Sequence, residues 1–295
     1  MGGKYVLIFV GFFLLNANLF SKDILILPEI DSIAGIVDNI RNSKSDKLRI
    51  EYNNVLISYL NDFLKRPESF NANFSKVKGI TVLTSDDKLL RVYTWNLQFN
   101  DGSYKYFGYI QYKNKNKIDL FFLDDKKYNS NGEIRLYQSH SEWYGAIYYE
   151  MVTKKWNSQT YYTLIGWDGA DFLINRKVIE VLYFDRKGLP VFGKKLFKLN
   201  RTLTGRLVFE YADRANMLLR YNQKQDIIVM DHLSPNDSKY TGIYAYYGPD
   251  FSYDALVFRG GKWILQQDID PNIAINYKRD PKINTLKRKG FSKNF

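Results

Sequence analysis

From Gly79 onward the sequence abandons a helical period and becomes a succession of short β-branched and aromatic runs, each closed by a polar turn. KGITVLTSDDKLLRVYTWNLQF and FNDGSYKYFGYIQY open the series, with SDDK and Asn100-Asp101-Gly102 as hairpin corners. KIDLFFLDD, EIRLYQS, WYGAIYYEMV, YYTLIGW, KVIEVLYF, GRLVFEY, ANMLLRY, DIIVMDHL, YAYYG and LVFRGGKWILQ continue it. DRKG (185–188), NQKQD (222–226) and RGGK (259–262) supply further turns. Runs this short, joined by turns this tight, pair as antiparallel hairpins. No helix-length segment alternates with them, which argues against a parallel α/β enzyme fold and its nucleotide crevice. The tryptophans do not recur at an even interval, so a regular propeller is not supported. The expected fold is mainly β with N-terminal helices (α+β), an antiparallel meander, sandwich or partly open barrel over 79–277.

Residues 22–78 follow a different period. In LPEIDSIAGIVDNIRNSKS, Ile30, Ile33, Ile36 or Val37, and Ile40 recur at helical spacing, although Gly35 interrupts the run. In SDKLRIEYNNVLISYLNDFLKRP, Leu48, Tyr52, Val55, Leu56, Tyr59, Leu60 and Phe63 fall on one helical face. Ser45 is the expected N-cap, and Pro67 ends the pattern. Such a stripe packs on a core far more often than it binds a partner helix.

The segment before these helices has one cation, Lys4, then the apolar run Tyr5 to Leu15, then Asn16, Ala17 and Asn18. That is the order of a secretory signal, assigned to 1–21. Its eleven apolar residues fall short of the roughly 20 that cross a bilayer core. The chain is therefore expected to be exported, to the periplasm or the extracellular space. It has no cysteine, which removes disulfides, thiolate nucleophiles, cysteine metal sites and lipoprotein anchoring together. A domain of this length holds itself by its own core, burying about 70 to 75% of its unfolded surface.

The formal charge is +12, yet residues 278–295 carry seven Lys or Arg against one Asp, a net +6. A nucleic-acid partner calls for a basic folded face, and here much of the excess lies in a terminal segment, so no nucleic acid is expected. The tail is read as a peripheral appendage, with weak contact to an anionic surface as its functional alternative.

The chemistry-bearing motifs are sparse. The two histidines, His140 and His232, stand 92 positions apart, and neither has a second histidine at metal-ligand spacing. Neither a nucleophile elbow nor a phosphate-binding glycine loop is present, so no cofactor and no metal is expected. Asp231 and His232 are strand neighbours and face opposite sides, which disfavours their acting as a pair. Carboxylates are the remaining candidates, doubled in WDGAD (167–171), YGPDFSYD (247–254) and QQDIDPN (266–272), each expected in a loop. Glycoside hydrolysis needs two carboxyl groups about 5 to 10 Å apart across a cleft. Neither DGAD nor DFSYD reproduces the D-x-[DN]-x-[DN]-G-x5-E spacing, which rejects an EF-hand and leaves a calcium site of another kind as the lesser alternative. An Asp-Gly turn explains WDGAD without a ligand, because Gly accepts positive φ and Asp bonds its own backbone. The candidate binding residues are Trp167, Asp168, Asp171, His232, Asp250, Tyr253 and Asp254, with Trp95, Trp143, Tyr144 and Trp263 as stacking faces if they cluster.

The phrases RVYTWNLQFNDGSYKYFGYIQY, EWYGAIYYE, YYTLIGWDG, KVIEVLYFD, VFEYADRANMLLRYN, IIVMDHLSP and YGPDFSYDALVFRGGKW occur in that order. Together they resemble a group of uncharacterised exported proteins of Gram-negative bacteria with N-terminal helices and a long β region. The resemblance covers roughly residues 45 to 270 and is most specific at Gly166 to Gly169, Asp231 to Pro235 and Tyr247 to Asp254. It implies export and carries no assigned activity. The expected function is a non-catalytic binding or structural role in the cell envelope, with an envelope glycan or another envelope protein as partner. A carbohydrate-active hydrolase using two of the loop carboxylates is the alternative.

Overall fold

A computed structural model describes residues 26–115, 117–128, 138–270 and 272. The segment read as a signal (1–21), the basic tail (278–295) and most of EIRLYQS lie outside the described residues. The chain divides into two compact units at Lys78/Gly79.

The first unit holds two helices, α1 (26–42) and α2 (Asp46–Leu64). In α1, Ile30, Ile33, Val37 and Ile40 are buried, and Gly35 sits in open space without breaking the helix. The side chain of Ser45 caps α2 by accepting from the amide of Leu48. The buried face of α2 is rotated from the one its apolar residues predict. Arg49, Asn53, Leu56, Leu60, Phe63 and Leu64 point inward, whereas Leu48 and Val55 are 44% and 52% exposed. Arg49 is tolerated inside because Asp46 pairs with it at 2.9 Å. Glu29 ties the unit together, accepting from Tyr59 and, at 2.7 Å, from Arg66.

The described part of the second unit is mainly β, with a few short 3-10 turns, and is built from three sheets. A four-stranded meander contains β1 (Thr81–Thr84), β2 (Leu90–Gln98), β3 (Tyr104–Asn114) and β4 (Lys117–Asp124) in sequence order. A six-stranded sheet holds β5 (Gln138–Ser139), β6 (Ile147–Trp156), β7 (Gln159–Asp168), β8 (Ile174–Phe184) and β9 (Pro190–Phe192), with β12 (Arg206–Ala212) also paired to β8. The third sheet runs β11 (Thr202–Thr204), β10 (Phe197–Leu199), β16 (Lys262–Gln266), β15 (Tyr247–Arg259), β14 (Ile227–Pro235), β13 (Leu219–Asn222). Among the described strands every pairing is antiparallel except β10 with β16, so the architecture is α+β with sandwich-like sheets and no closed barrel.

The sheet containing β6, β7 and β8 is covered on both faces, which the alternation of strand side chains makes possible. Toward the meander, Tyr162 donates to Asp87 at 2.9 Å and the Tyr148 amide donates to Thr94 Oγ1 at 3.1 Å. Toward the third sheet, Trp263 Nε1 donates to Thr163 Oγ1 at 2.9 Å and Tyr149 donates to the Leu219 carbonyl at 2.8 Å. One continuous hydrophobic core runs through all three.

Two local expectations fail for identifiable reasons. YGPDFSYD lies inside the long strand β15 and not in a loop. Pro249 is accommodated because β15 there pairs only with β14, β16 joining it from Ala255 onward, and proline is tolerated on a strand with one neighbour. YAYYG, expected as a strand, is instead the 3-10 turn Tyr244–Tyr246 leading into β15.

Candidate functional site

WDGAD closes β7 and turns inward. Asp168 is 1% exposed and accepts from Tyr106 at 3.0 Å, Tyr144 at 3.2 Å, the Ala170 amide at 3.1 Å and Lys127 Nζ, with Arg176 Nη1 at 3.5 Å. Burial opposes ionisation of this carboxyl, but Lys127 and Arg176 outweigh it and hold it below its ordinary value. Gly169 is not in the left-handed region; Ala170 takes that conformation, with φ 43°. The glycine serves close approach instead, since a Cβ there would lie 2.6 Å from the Tyr104 ring and 2.7 Å from Trp167. Trp167 is buried edge-on against Tyr104, 5.5 Å between centroids. Asp171 is exposed and accepts from the amides of Leu173 and Ile174 at 2.7 and 3.0 Å, completing the turn. The two acids of WDGAD are thus turned to different tasks and do not face one cleft as a pair.

Around Asp168 lies a charge array that reading the loops alone misses. RKVIE (176–180) on β8 runs antiparallel to RLVFE (206–210) on β12, so that Arg176 stands opposite Glu210 and Glu180 opposite Arg206. Arg176 Nε donates to Glu210 at 2.7 Å. Arg206 donates to Glu180 at 2.8 and 2.5 Å and to Gln138 at 2.5 Å; Tyr148 also donates to Glu180 and accepts from Trp143 Nε1 at 2.7 Å. Nearby, Asp125 is pushed up to about 6, chiefly by burial, against the opposing pull of Lys127 and the Tyr106 amide. The sequence signal was the repeated R-x-x-x-E on two strands, which becomes a ladder only when they pair in this register.

His232 collects the acids of the other motif. Its Nδ1 lies 3.1 Å from Asp254 Oδ2 and its Nε2 4.0 Å from Asp250 Oδ2. The register between β14 and β15 slips here, and Asp250, Phe251 and Ser252 bulge outward opposite the imidazole. The ring fills the space between the carboxylates that a glycoside would need. Asp231, as its strand position predicts, faces elsewhere and accepts from the Leu218 amide at 2.6 Å. Tyr253 packs on the small apolar cluster of Ile227, Val229 and Ala255. Among the described residues no group of three or more His, Asp or Glu is arranged to hold a metal ion.

The hydrogen bond that Asp254 accepts from the protonated ring, reinforced by the charges of Asp254, Asp250 and Asp268 against a smaller cost of burial, raises the His232 pKa. A proton-detected titration is expected to place it above the ordinary value of about 6.5, and Asp254→Asn to bring it back down. A raised folded pKa means that the pair stabilises the fold fully below about pH 6.5 and loses that contribution as pH rises through the raised value. An unshifted titration would show the contact to be idle.

The described surface also carries a cleft of about 610 Å³, lined by Phe172 and Leu173 after WDGAD, by Ala212, Asp213 and Arg214 after β12, and by Ala245 and Tyr246 before β15. Sequence neighbours of both acidic motifs therefore meet, although the acids themselves do not line the cleft. Tyr246 stacks on Tyr240 at 3.9 Å and 6°, and Tyr244 packs on Tyr247 at 5.0 Å. Phe251, at the tip of the bulge, is 86% exposed at φ 71°. A bulky residue held there costs on the order of 1–3 kcal/mol, a strain that proteins tend to retain at functional surfaces. Trp95, Trp143, Tyr144 and Trp263, by contrast, are all fully buried and offer no stacking face to a ligand.

Fold and site together define a layered β protein presenting an aromatic rim beside an open cleft. The chain matches no protein-family model, no curated protein and no solved structure.

Proposed function

We propose that this is an exported, non-catalytic binding module of the cell envelope, recognising its partner at the cleft and the aromatic rim that carries Phe172 and Tyr246. One observation carries the reading: aromatic rings are held rigid yet exposed beside the cleft, while the candidate catalytic acids are consumed by the protein's own contacts. Rigid exposed aromatics give large contact area at small entropic cost. A hydrolase needs an accessible acid that keeps its proton, and both Asp168 and Asp250 are held below the ordinary carboxylate range. At Asp250, burial opposes this and the Ser252 bonds and His232 prevail. Export is supported by the charge and length of the Lys4 to Leu15 segment and by the resemblance over residues 45 to 270.

Equilibrium binding of the mature chain to purified glycans, peptidoglycan fragments and envelope proteins tests the reading. Saturable binding without product formation is expected. Turnover of any of these would replace it with the hydrolase alternative.

A further inference from the structure

We propose that the cleft takes a neutral pyranose unit of a glycan, with Phe172 and Tyr246 as apolar walls and Asp213 and Arg214 as partners for its hydroxyl groups. This rests on the binding-module reading and names its ligand class.

Each wall is fixed from behind. The Phe172 ring occupies the space beside Gly102, where a Cβ would come within 2.1 Å of the ring. Tyr246 is backed by the parallel ring of Tyr240, and its own amide and carbonyl are spent on Ile243 and Asn236 at 3.0 and 3.1 Å. The polar pair is also placed. Asn175 Nδ2 donates to Asp213 Oδ1 at 2.7 Å, and the Asp213 amide donates to the Leu173 carbonyl at 2.8 Å. Arg214 is exposed and forms no ion pair among the described residues.

These features select among ligands. A pyranose has apolar C–H faces that pack on rings and a rim of hydroxyls that both donate and accept. A carboxylate accepts from such hydroxyls and a guanidinium donates to them, each as a charge-assisted bond. The charges of Asp213 and Arg214 cancel, which disfavours a polyanion, and the two ionic groups disfavour an acyl chain. The cleft volume lies within the roughly 300–1,000 Å³ of small-ligand sites.

The test uses the full mature chain and measures equilibrium binding to neutral hexose and N-acetylhexosamine oligosaccharides, with anionic vesicles and envelope proteins as parallel arms. Binding to at least one oligosaccharide is expected, weakened roughly tenfold or more by Tyr246→Ala and by Arg214→Ala. Tyr246→Phe should retain it, as should Lys198→Ala on the distant strand β10. Unfolding curves of each variant separate lost contacts from lost structure. Absence of oligosaccharide binding overturns the proposal, as does binding that neither Tyr246→Ala nor Arg214→Ala weakens. If the envelope-protein arm alone binds, the sugar assignment fails while the binding-module reading stands; turnover of a sugar overturns that reading instead.

Discussion

Glu180→Ala is expected to destabilise the β unit by about 3–5 kcal/mol, the usual consequence of leaving one member of a buried ion pair behind. Arg206 would lose its carboxylate in a dry setting, where the neutral Gln138 does not balance its charge: its side chain is 3% exposed and lies 4.8 Å from the Tyr144 ring. The change also removes the acceptor of the Tyr148 hydroxyl, itself fully buried. Against a total stability of about 5–15 kcal/mol this is a large fraction. Chemical denaturation should show a lower midpoint with an unchanged slope. Replacing both charges, as Glu180→Leu with Arg206→Met, should recover most of the loss, because a well-packed apolar pair is often as stable as the ionic one. A single variant that unfolds at the wild-type midpoint would refute the assignment of this pair as a buried support.

Asp168→Ala is expected to follow, at about 3 kcal/mol, toward the low end of the same range. Two cations lose their common partner, but Lys127 carries a flexible stem and still faces the Tyr106 and Tyr144 rings, and Arg176 keeps Glu210, so the orphaned charge is partly rescued. The same carboxylate gives an acid limb. Its folded pKa is depressed, so its contribution is present above the unfolded value near 3.9 and disappears as pH falls through the folded one. Asp168→Asn should flatten that part of the stability profile, below about pH 4. An acid limb identical to that of the unaltered protein would place the sensitivity on other carboxylates.

Much of the fold was legible because hairpins are local. A turn such as Asn100-Asp101-Gly102 declares itself through Gly102 at φ 84° and through Asp101 accepting from the Ser103 amide at 2.9 Å, contacts that span two or three residues. Period alone could not set the phase of α2, since Leu48 and Val55 lie outside and Arg49 and Asn53 inside. Nor could it distinguish the turn at Tyr244–Tyr246 from a strand, because tyrosine-rich composition suits both an exposed rim and a pleated surface.

The candidate site was legible only as an inventory. WDGAD reads correctly as a corner, but the partners of Asp168 come from positions 106, 127, 144 and 176, which no local pattern connects. His232 and Asp254 are joined by the pairing of β14 with β15, and the bulge that exposes Phe251 is a property of that register.

By itself, then, the sequence determined the helical opening, the long antiparallel β region and the turns between strands, all of which depend on neighbours within a few residues. Only the tertiary structure decided which side chains turn inward and which line the cleft. Burial and charge pairing depend on residues tens of positions apart, and they take Asp168 inward to Lys127 and Arg176 while leaving Phe172, Arg214 and Tyr246 around an open cleft.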